Sequence, residues 1–546
     1  MPSLAILAAL DSGKMKSQGA ALSPLERGAV AKYLGSAEKP EVIPQSAHCP
    51  ASARLADTAA TWNGWSADTD NSRFQPAKAA GLTRDGVSKL KLKWAFGFPG
   101  VTTAYAPPTV GGGRVYIGSA DGTVYSLNAR SGCLYWSYRA AEGVRTAIVL
   151  GTRPAAAYFG DLQGNVYALN PETGDLLWKT RADEHLYAEI TGTPQLAAGV
   201  LYVPVSGGAE QVAAGNDSYE CCTFRGSLVA LDAGTGKQIW KAYTIPEAAK
   251  ETGRSNAGNR KWGPSGVALW SSPTVDLKRK AVYVGTGVNY SDPSTPTSDA
   301  VLAFDLDSSR LLWSRQLLPN DVFNFGCVTG KPANCPQAAG KDFDIGAPPI
   351  LRPFGKDRSL LLVGAKSGQL YALDPDDRGR TVWQTRIGAG GPQGGIMWGA
   401  AADERLAYVA RSDWDPGKPE AGGGMFAIEI GTGRQAWSTP APKPACLGTQ
   451  GCSAAQAAPV SAIPGVVFSG SMDGRLRAYD AKSGAIIWDF DTLRDFETVN
   501  GVKARGGSMN GAGPAIAGGM VFASSGYSRL PIMPGNVLLA FSVEGK

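Results

Sequence analysis

Two cysteines stand side by side in "YECCTFRG", Cys221 and Cys222, and few chemistries call for thiols on neighbouring positions. Adjacent Cα atoms lie about 3.8 Å apart across a trans peptide, inside the roughly 4.4 Å at which ordinary disulfides begin. A bond between the two would be a strained ring that closes no useful loop. Two separate disulfides, a free thiol pair or half of a metal site are the other readings. The chain has eight cysteines but only two histidines, His48 and His185, and no CxxC. Tetrahedral zinc is short of ligands, and a Ser-His-Asp triad or a multi-histidine metal centre would have to be built on almost nothing. Cys327 and Cys335 bracket "CVTGKPANC", and Cys446 and Cys452 bracket "CLGTQGC". Loops that short read as local disulfides made in an oxidising compartment. If the chain is an enzyme, its acid–base group is a carboxylate and a cofactor carries much of the reaction.

The elements that must position such groups follow from a repeat. The 546 residues are 43% hydrophobic and 18% charged, with 70 glycines and 36 prolines, a composition suited to many short strands joined by turns. The net charge of +6 is mild and no Lys/Arg run suggests nucleic acid. No apolar stretch reaches the 18 or so residues that would span a bilayer. One phrase recurs: "DGTVYSLNARSGCLYW", "QGNVYALNPETGDLLW", "RGSLVALDAGTGKQIW" and four later copies, ending at Trp136, Trp178, Trp240, Trp313, Trp383, Trp437 and Trp488. Each copy has an alternating strand, a polar turn and a second strand ending in tryptophan, which is a hairpin signature. A further strand such as "GRVYIGS" precedes most copies, giving about four strands per unit. An eighth copy, "GNVLLAFSVEGK", stops at Lys546 before its tryptophan, while "LKLKW" supplies an orphan strand at Trp94. The early strand completes the last unit and closes the ring. The prediction is an all-β, eight-bladed β-propeller over residues 62–546, its tryptophans docking blade on blade. Successive tryptophans are 42, 42, 62, 73, 70, 54 and 51 residues apart, so the insertions that build a binding face cluster after Trp178.

Eight tryptophan-docked blades with an adjacent cysteine pair resemble the pyrroloquinoline quinone (PQQ) alcohol dehydrogenases. "NGWSADTDNSRFQP", "LKLKWAFGFPG", "ECCTFRG" and "TSDAVLAFD" are similar to the polyvinyl alcohol dehydrogenases among them, over essentially the whole chain. The resemblance implies that Cys221 and Cys222 form a vicinal disulfide, a rigid apolar lid over a planar quinone. It places Trp270 beneath the cofactor, Thr191 and Ser206 as polar contacts to it, and Arg145 and Lys366 as cations for its carboxylates and reactive carbonyl. It implies Glu210 as an acidic calcium ligand, Asp299 as catalytic base and calcium ligand, and Lys366 as the group that polarises the carbonyl with the metal. Asp299 would stay ionised beside those positive charges.

Two departures from the family pattern stand out. The calcium-ligating asparagine that follows "GTG" in the methanol-type enzymes is Val288 here, with Asn289 one place later, so either Asn289 ligates the metal from a locally shifted backbone or the metal is held differently. The cysteine pair follows the Glu210 segment, where those enzymes carry it in an earlier blade. Plainer roles exist as well: Asp299 as a strand-entry turn residue, Glu210 as a surface loop carboxylate, Arg145 and Lys366 as solvated charges.

Residues 1–36 read as two helices resembling the end of a c-type cytochrome domain, the second capped by Ser23, Pro24 and Glu26 and stopped by Gly35. Met15 matches an axial methionine, yet the chain has no CxxCH for covalent haem. Met1 then reads as an internal residue of a longer product, or the haem half as lost; Met1–Leu10 lacks the basic leading region of a signal peptide. A linker, residues 37–61, follows. The expectation is a periplasmic, PQQ- and calcium-dependent dehydrogenase of secondary alcohols, plausibly polyvinyl alcohol, passing electrons to a cytochrome c. The alternatives are a cofactor-free propeller scaffold of the bacterial envelope and a PQQ sugar or aldose dehydrogenase.

Overall fold

Each copy of the repeated phrase folds as the two outer strands of a four-stranded antiparallel sheet, and eight such sheets form the ring. The computed structural model describes residues 10, 15–19, 22, 30, 42–50 and 61–545, apart from 257, 329–332 and 338. The first blade is typical: Thr109–Gly111, Arg114–Gly118, Thr123–Asn128 and Leu134–Arg139 pair in sequence order. The last blade departs from that order as expected. Lys91–Gly97 pairs with Val537–Ser542, and Trp94 lies opposite Ala540, so both ends of the ring are tied into one sheet and no blade is left with an open seam.

The tryptophans hold the blades to each other. Trp94, Trp136, Trp178, Trp240, Trp383, Trp437 and Trp488 each donate the indole N–H to a main-chain carbonyl of the adjoining repeat, at 2.9–3.2 Å. A register shift beside the tryptophan recurs in every blade, as between Ser126 and Leu127 or Ala168 and Leu169, and such a bulge re-aims a side chain. The ring of Trp136 meets Gly174 in the turn of the next blade. That glycine has φ +80°, and a Cβ there would lie 2.7 Å from the indole, so the turn admits no larger residue.

All eight cysteines are paired: Cys49–Cys133, Cys221–Cys222, Cys327–Cys335 and Cys446–Cys452. The adjacent thiols are thus bonded to each other, with their Cα atoms 3.1 Å apart across a cis peptide. Cys49–Cys133 fastens the segment before the propeller to the first blade, where the backbone N–H of Cys49 also donates to Leu134. Ser23, Pro24, Glu26 and Gly35, expected to bound a helix, lie outside the described residues, as does most of 37–61. Among the described residues no helix is long and apolar enough to cross a membrane.

Candidate active site

Antiparallel blades bring two kinds of segment to one end of the ring: the link that enters the first strand and the loop that leaves the second. Arg145, Thr191, Trp270 and Met397 each stand four residues ahead of a first strand, at Val149, Gln195, Thr274 and Ala401. Ser206, Val288, Lys366 and Tyr527 each lie just beyond a second strand, after Val205, Gly285, Gly364 and Ser525. All eight line one cavity of about 330 Å³, a size at the lower end of ordinary small-molecule sites.

Trp270 forms a flat wall of that cavity. A Cβ at Gly346 would fall 1.8 Å from its ring and one at Gly287 3.3 Å from Nε1, so two glycines leave room for the indole. Trp398 meets it edge to face at 5.0 Å between centroids, and the Arg145 guanidinium lies 4.5 Å over Trp398. Nη2 of Arg145 has no hydrogen-bond partner among the described residues. Arg529 contributes a further cation to the lining.

Lys366 is buried, and its Nζ donates to Asp342 at 3.0 Å and Asp344 at 2.7 Å while lying 5.5 Å over the Trp270 ring. Burial alone would lower its pKa; the two carboxylates outweigh burial and keep it above the ordinary lysine value, so it is a fixed cation. The other oxygen of Asp344 accepts the backbone N–H of Val288 at 2.7 Å. Thr191 and Ser206 share a hydroxyl–hydroxyl hydrogen bond of 2.9 Å on the same wall.

Several expected residues stand elsewhere. Cys221 and Cys222 are not among the residues lining the cavity; they are buried in an apolar cluster that also holds Phe224, Val288, Tyr290 and Phe323. Glu210 is fully buried in the short helix Gly208–Ala213, and its carboxylate accepts from the Tyr219 hydroxyl and the Thr223 and Phe224 amides at 2.7–2.9 Å. Its oxygens hold the Cys-bearing segment rather than facing the cavity. Glu189 faces it instead, close to the amides of Gly208 and Ala209. Burial lifts the Glu189 carboxyl above its ordinary value, with Arg529 and Arg145 opposing. Asn289 gives its amide to Ser265 and accepts from Thr295, so it too is occupied within the protein.

Asp299 is buried at φ +48° and does not line the cavity. Neither carboxylate oxygen has a hydrogen-bond partner among the described residues. Burial, then Asp344, Asp321 and Asp342, raise its pKa well above the ordinary value against the pull of Lys366. This environment favours the protonated form of the expected base over the ionised one. Asp344 is the carboxylate that meets both Lys366 and the cavity. Asp342 and Asp344 of "KDFDIG" reach Lys366 together, but Asp342 has φ +58°, so strand periodicity gave no signal for the pair. Met15, the methionine matched to an axial ligand, sits in a small apolar cluster with Leu10 and Val30.

The chain is 40% identical to a polyvinyl alcohol dehydrogenase of a Pseudomonas species, over 99% of this chain and 89% of that one. It is 41% identical to one of Sphingopyxis sp. strain 113P3, over 100% of this chain and 88% of the other. The chain belongs to the polyvinyl alcohol dehydrogenase family. It is a quinoprotein alcohol dehydrogenase of the propeller type, an oxidoreductase. The quinohemoprotein alcohol dehydrogenase of Comamonas testosteroni superposes with a TM-score of 0.63 at 19% identity, covering 90% of this chain and 82% of that structure, which is agreement of fold. A family described as outer membrane protein assembly factor BamB matches residues 88–220 and 297–543. The gap between those matches holds the cysteine pair, Trp270 and Val288.

The cavity residues fit the family's quinone: a flat indole face, an unpartnered Arg145 nitrogen and three cations suit a planar polyanion. The donor set expected for calcium is not assembled. No three His, Cys, Asp or Glu side chains among the described residues are grouped as a metal site, and Glu210 and Asn289 are engaged within the protein.

Proposed function

We propose that this chain oxidises secondary alcohol groups, those of polyvinyl alcohol among them, with PQQ held in the Trp270 cavity. The observation that carries the reading is Lys366 fixed between Asp342 and Asp344 above the Trp270 ring. PQQ, when bound, supplies the two-electron oxidant. Trp270 would lie against its flat surface with Trp398 closing the site at the edge of that ring, and Arg145 and Arg529 would meet its carboxylates. Lys366 would hold the bound quinone by a donated hydrogen bond and would stabilise negative charge there, a role suited to a cation whose position is fixed in advance. Asp344 accepts the substrate hydroxyl proton as the carbinol carbon gives up its hydrogen and electron pair to the oxidant and becomes a carbonyl. The four disulfides support an oxidising compartment, in keeping with a periplasmic enzyme that delivers its electrons to a cytochrome c. Calcium belongs to this reading only through the family.

Titration of the purified protein with PQQ, followed by tryptophan fluorescence, tests it. The expected result is saturable quenching near one equivalent and dye-linked oxidation of 2,4-pentanediol and polyvinyl alcohol, with Lys366→Met inactive. A folded protein that neither quenches nor oxidises either alcohol overturns the proposal.

A further inference from the structure

The first strands of neighbouring blades touch one another, as Thr109–Gly111 touches Ala515–Ala517 and Thr274–Asp276 touches Ile350–Phe354. These strands therefore surround the axis of the ring. Ahead of the first blade, Trp62 and the stretch "NGWSADTDNSRFQP" run round the axis against them as a belt. Trp62 exchanges two main-chain hydrogen bonds with Val110 of the first blade, both 2.9 Å. Half-way round, the Thr69 and Asp70 carbonyls accept the amides of Val275 and Leu351 at 3.2 and 3.0 Å. The Gln75 side chain donates to the Ile516 carbonyl of the last blade at 2.7 Å. No step of the proposed oxidation uses the belt, yet one of its residues reaches the link that carries Trp270 to the cavity.

That residue is Asn71. Its side chain is fully buried, and its amide nitrogen lies 2.9 Å from the Pro273 carbonyl, 2.8 Å from the Thr274 hydroxyl and 3.4 Å from the Ser272 carbonyl. Thr274 donates its hydroxyl to Pro349, so its oxygen accepts from Asn71. The backbone of Asn71 sits at φ +56°, where asparagine is among the few side chains readily accommodated. Trp270 precedes Ser272 by two residues and borders two open spaces, the cofactor cavity and a void of about 20 Å³ shared with Trp65 of the belt. An indole with room beside it takes its position from the main chain that carries it. We propose that Asn71 is a positioning residue for the cofactor: by holding the main chain of residues 272–274 it sets the Trp270 face against which a planar quinone lies. The inference rests on the PQQ reading of the Trp270 cavity and adds to it a residue outside the cavity lining.

The test uses the full chain and two substitutions that suit the left-handed backbone. Asn71→Asp keeps the shape but sets an acceptor against three acceptors, and Asn71→Gly removes the donors outright. In both folded variants the dissociation constant for PQQ, read by tryptophan quenching, should rise about tenfold, the scale of two lost buried hydrogen bonds. Gln456→Met is the comparison, because it removes a buried amide that donates to Ser469 and Tyr479 of another blade. It should lower the urea midpoint about as far and leave PQQ affinity unchanged. A second readout needs no cofactor. Trp270 and Trp398 meet edge to face at 5.0 Å, so the pair adds an exciton signal to the circular dichroism, defined by what Trp270→Phe removes. Both Asn71 variants should weaken that signal, and Gln456→Met should not. An unchanged PQQ affinity in the folded Asn71 variants, or an equal change in Gln456→Met, overturns the proposal. If the wild type fails to bind PQQ, the functional reading falls, and an exciton signal left intact by Asn71→Asp then overturns this inference as well.

Discussion

The tryptophans of the rim and those of the cavity are the same residue put to opposite uses. Trp136 is buried, donates its indole N–H to Pro171 at 3.1 Å and is pressed against Gly174 of the next blade. Trp270 stands half-buried, with glycines cleared from its edge and its face turned to a cavity beneath Lys366. The carboxylates divide in the same way. In the ring, Asp480 is held below the usual carboxylate range by the Arg84 side chain; at the site, burial pushes Asp342 up to about 8. Residues that build the ring are satisfied by one another, and residues that build the site are left partly unsatisfied or poised.

Removing one tryptophan from each region separates the two uses most sharply. Trp136→Ala should cost about 3–5 kcal/mol of stability, the usual range for losing a buried tryptophan, read as a lower urea midpoint. The PQQ affinity of the folded fraction should be unchanged. Trp270→Ala should do the reverse: the urea midpoint should move far less, while the dissociation constant for PQQ rises about 30-fold or more, the scale of losing one aromatic anchor. A Trp136 variant that loses PQQ affinity at constant stability would erase the distinction.

The same division explains how much could be read in advance. Period-two strands, their turns and the spacing of the tryptophans are local features, so the eight blades, the closure through Trp94 and the short disulfide loops were legible from residues alone. Arg145, Thr191, Ser206, Trp270 and Lys366 were placed by resemblance, and they line the cavity because repeat position decides which end of a blade a residue reaches. Glu210 and Glu189 show where that reading stops. Each is an acidic residue in an insertion, and only the packing of the Gly208–Ala213 helix against Tyr219, Thr223 and Phe224 turns one inward and leaves the other at the cavity. Asp299 and Asp344 differ for a like reason: both belong to one buried acidic cluster, and which of them meets the cavity depends on the approach of two separate links.

The next contrast is one of sign. Asp342 carries its raised value in the folded state, from burial first, with Asp344 adding and Lys366 opposing. Between its ordinary 3.8 and about 8, the folded chain keeps a proton that the unfolded chain has released. Its contribution to stability is therefore present at low pH and lost as pH rises through that window. Urea midpoints of the cofactor-free protein should decline across it, and Asp342→Asn should flatten the decline. An unchanged slope in that variant would remove Asp342 from the account.

The smallest effect belongs to the ring. Asp480, with its pKa lowered to about 2, owes the shift first to the Arg84 side chain and then to the amides and hydroxyl of the Lys482–Ser483 turn. Its folded value lies below its unfolded one, so its contribution is present above about 4 and disappears as pH falls through about 2. Arg84→Met should lower the urea midpoint slightly at neutral pH, because an arginine so open to solvent is strongly screened. The difference from wild type should vanish at the acid end. The two carboxylates then give slopes of opposite sign in one protein, the site losing stability as pH rises and the ring as it falls. If Arg84→Met instead reproduced the Asp342 slope, the assignment of satisfied carboxylates to the ring and poised ones to the site would fail at its simplest point.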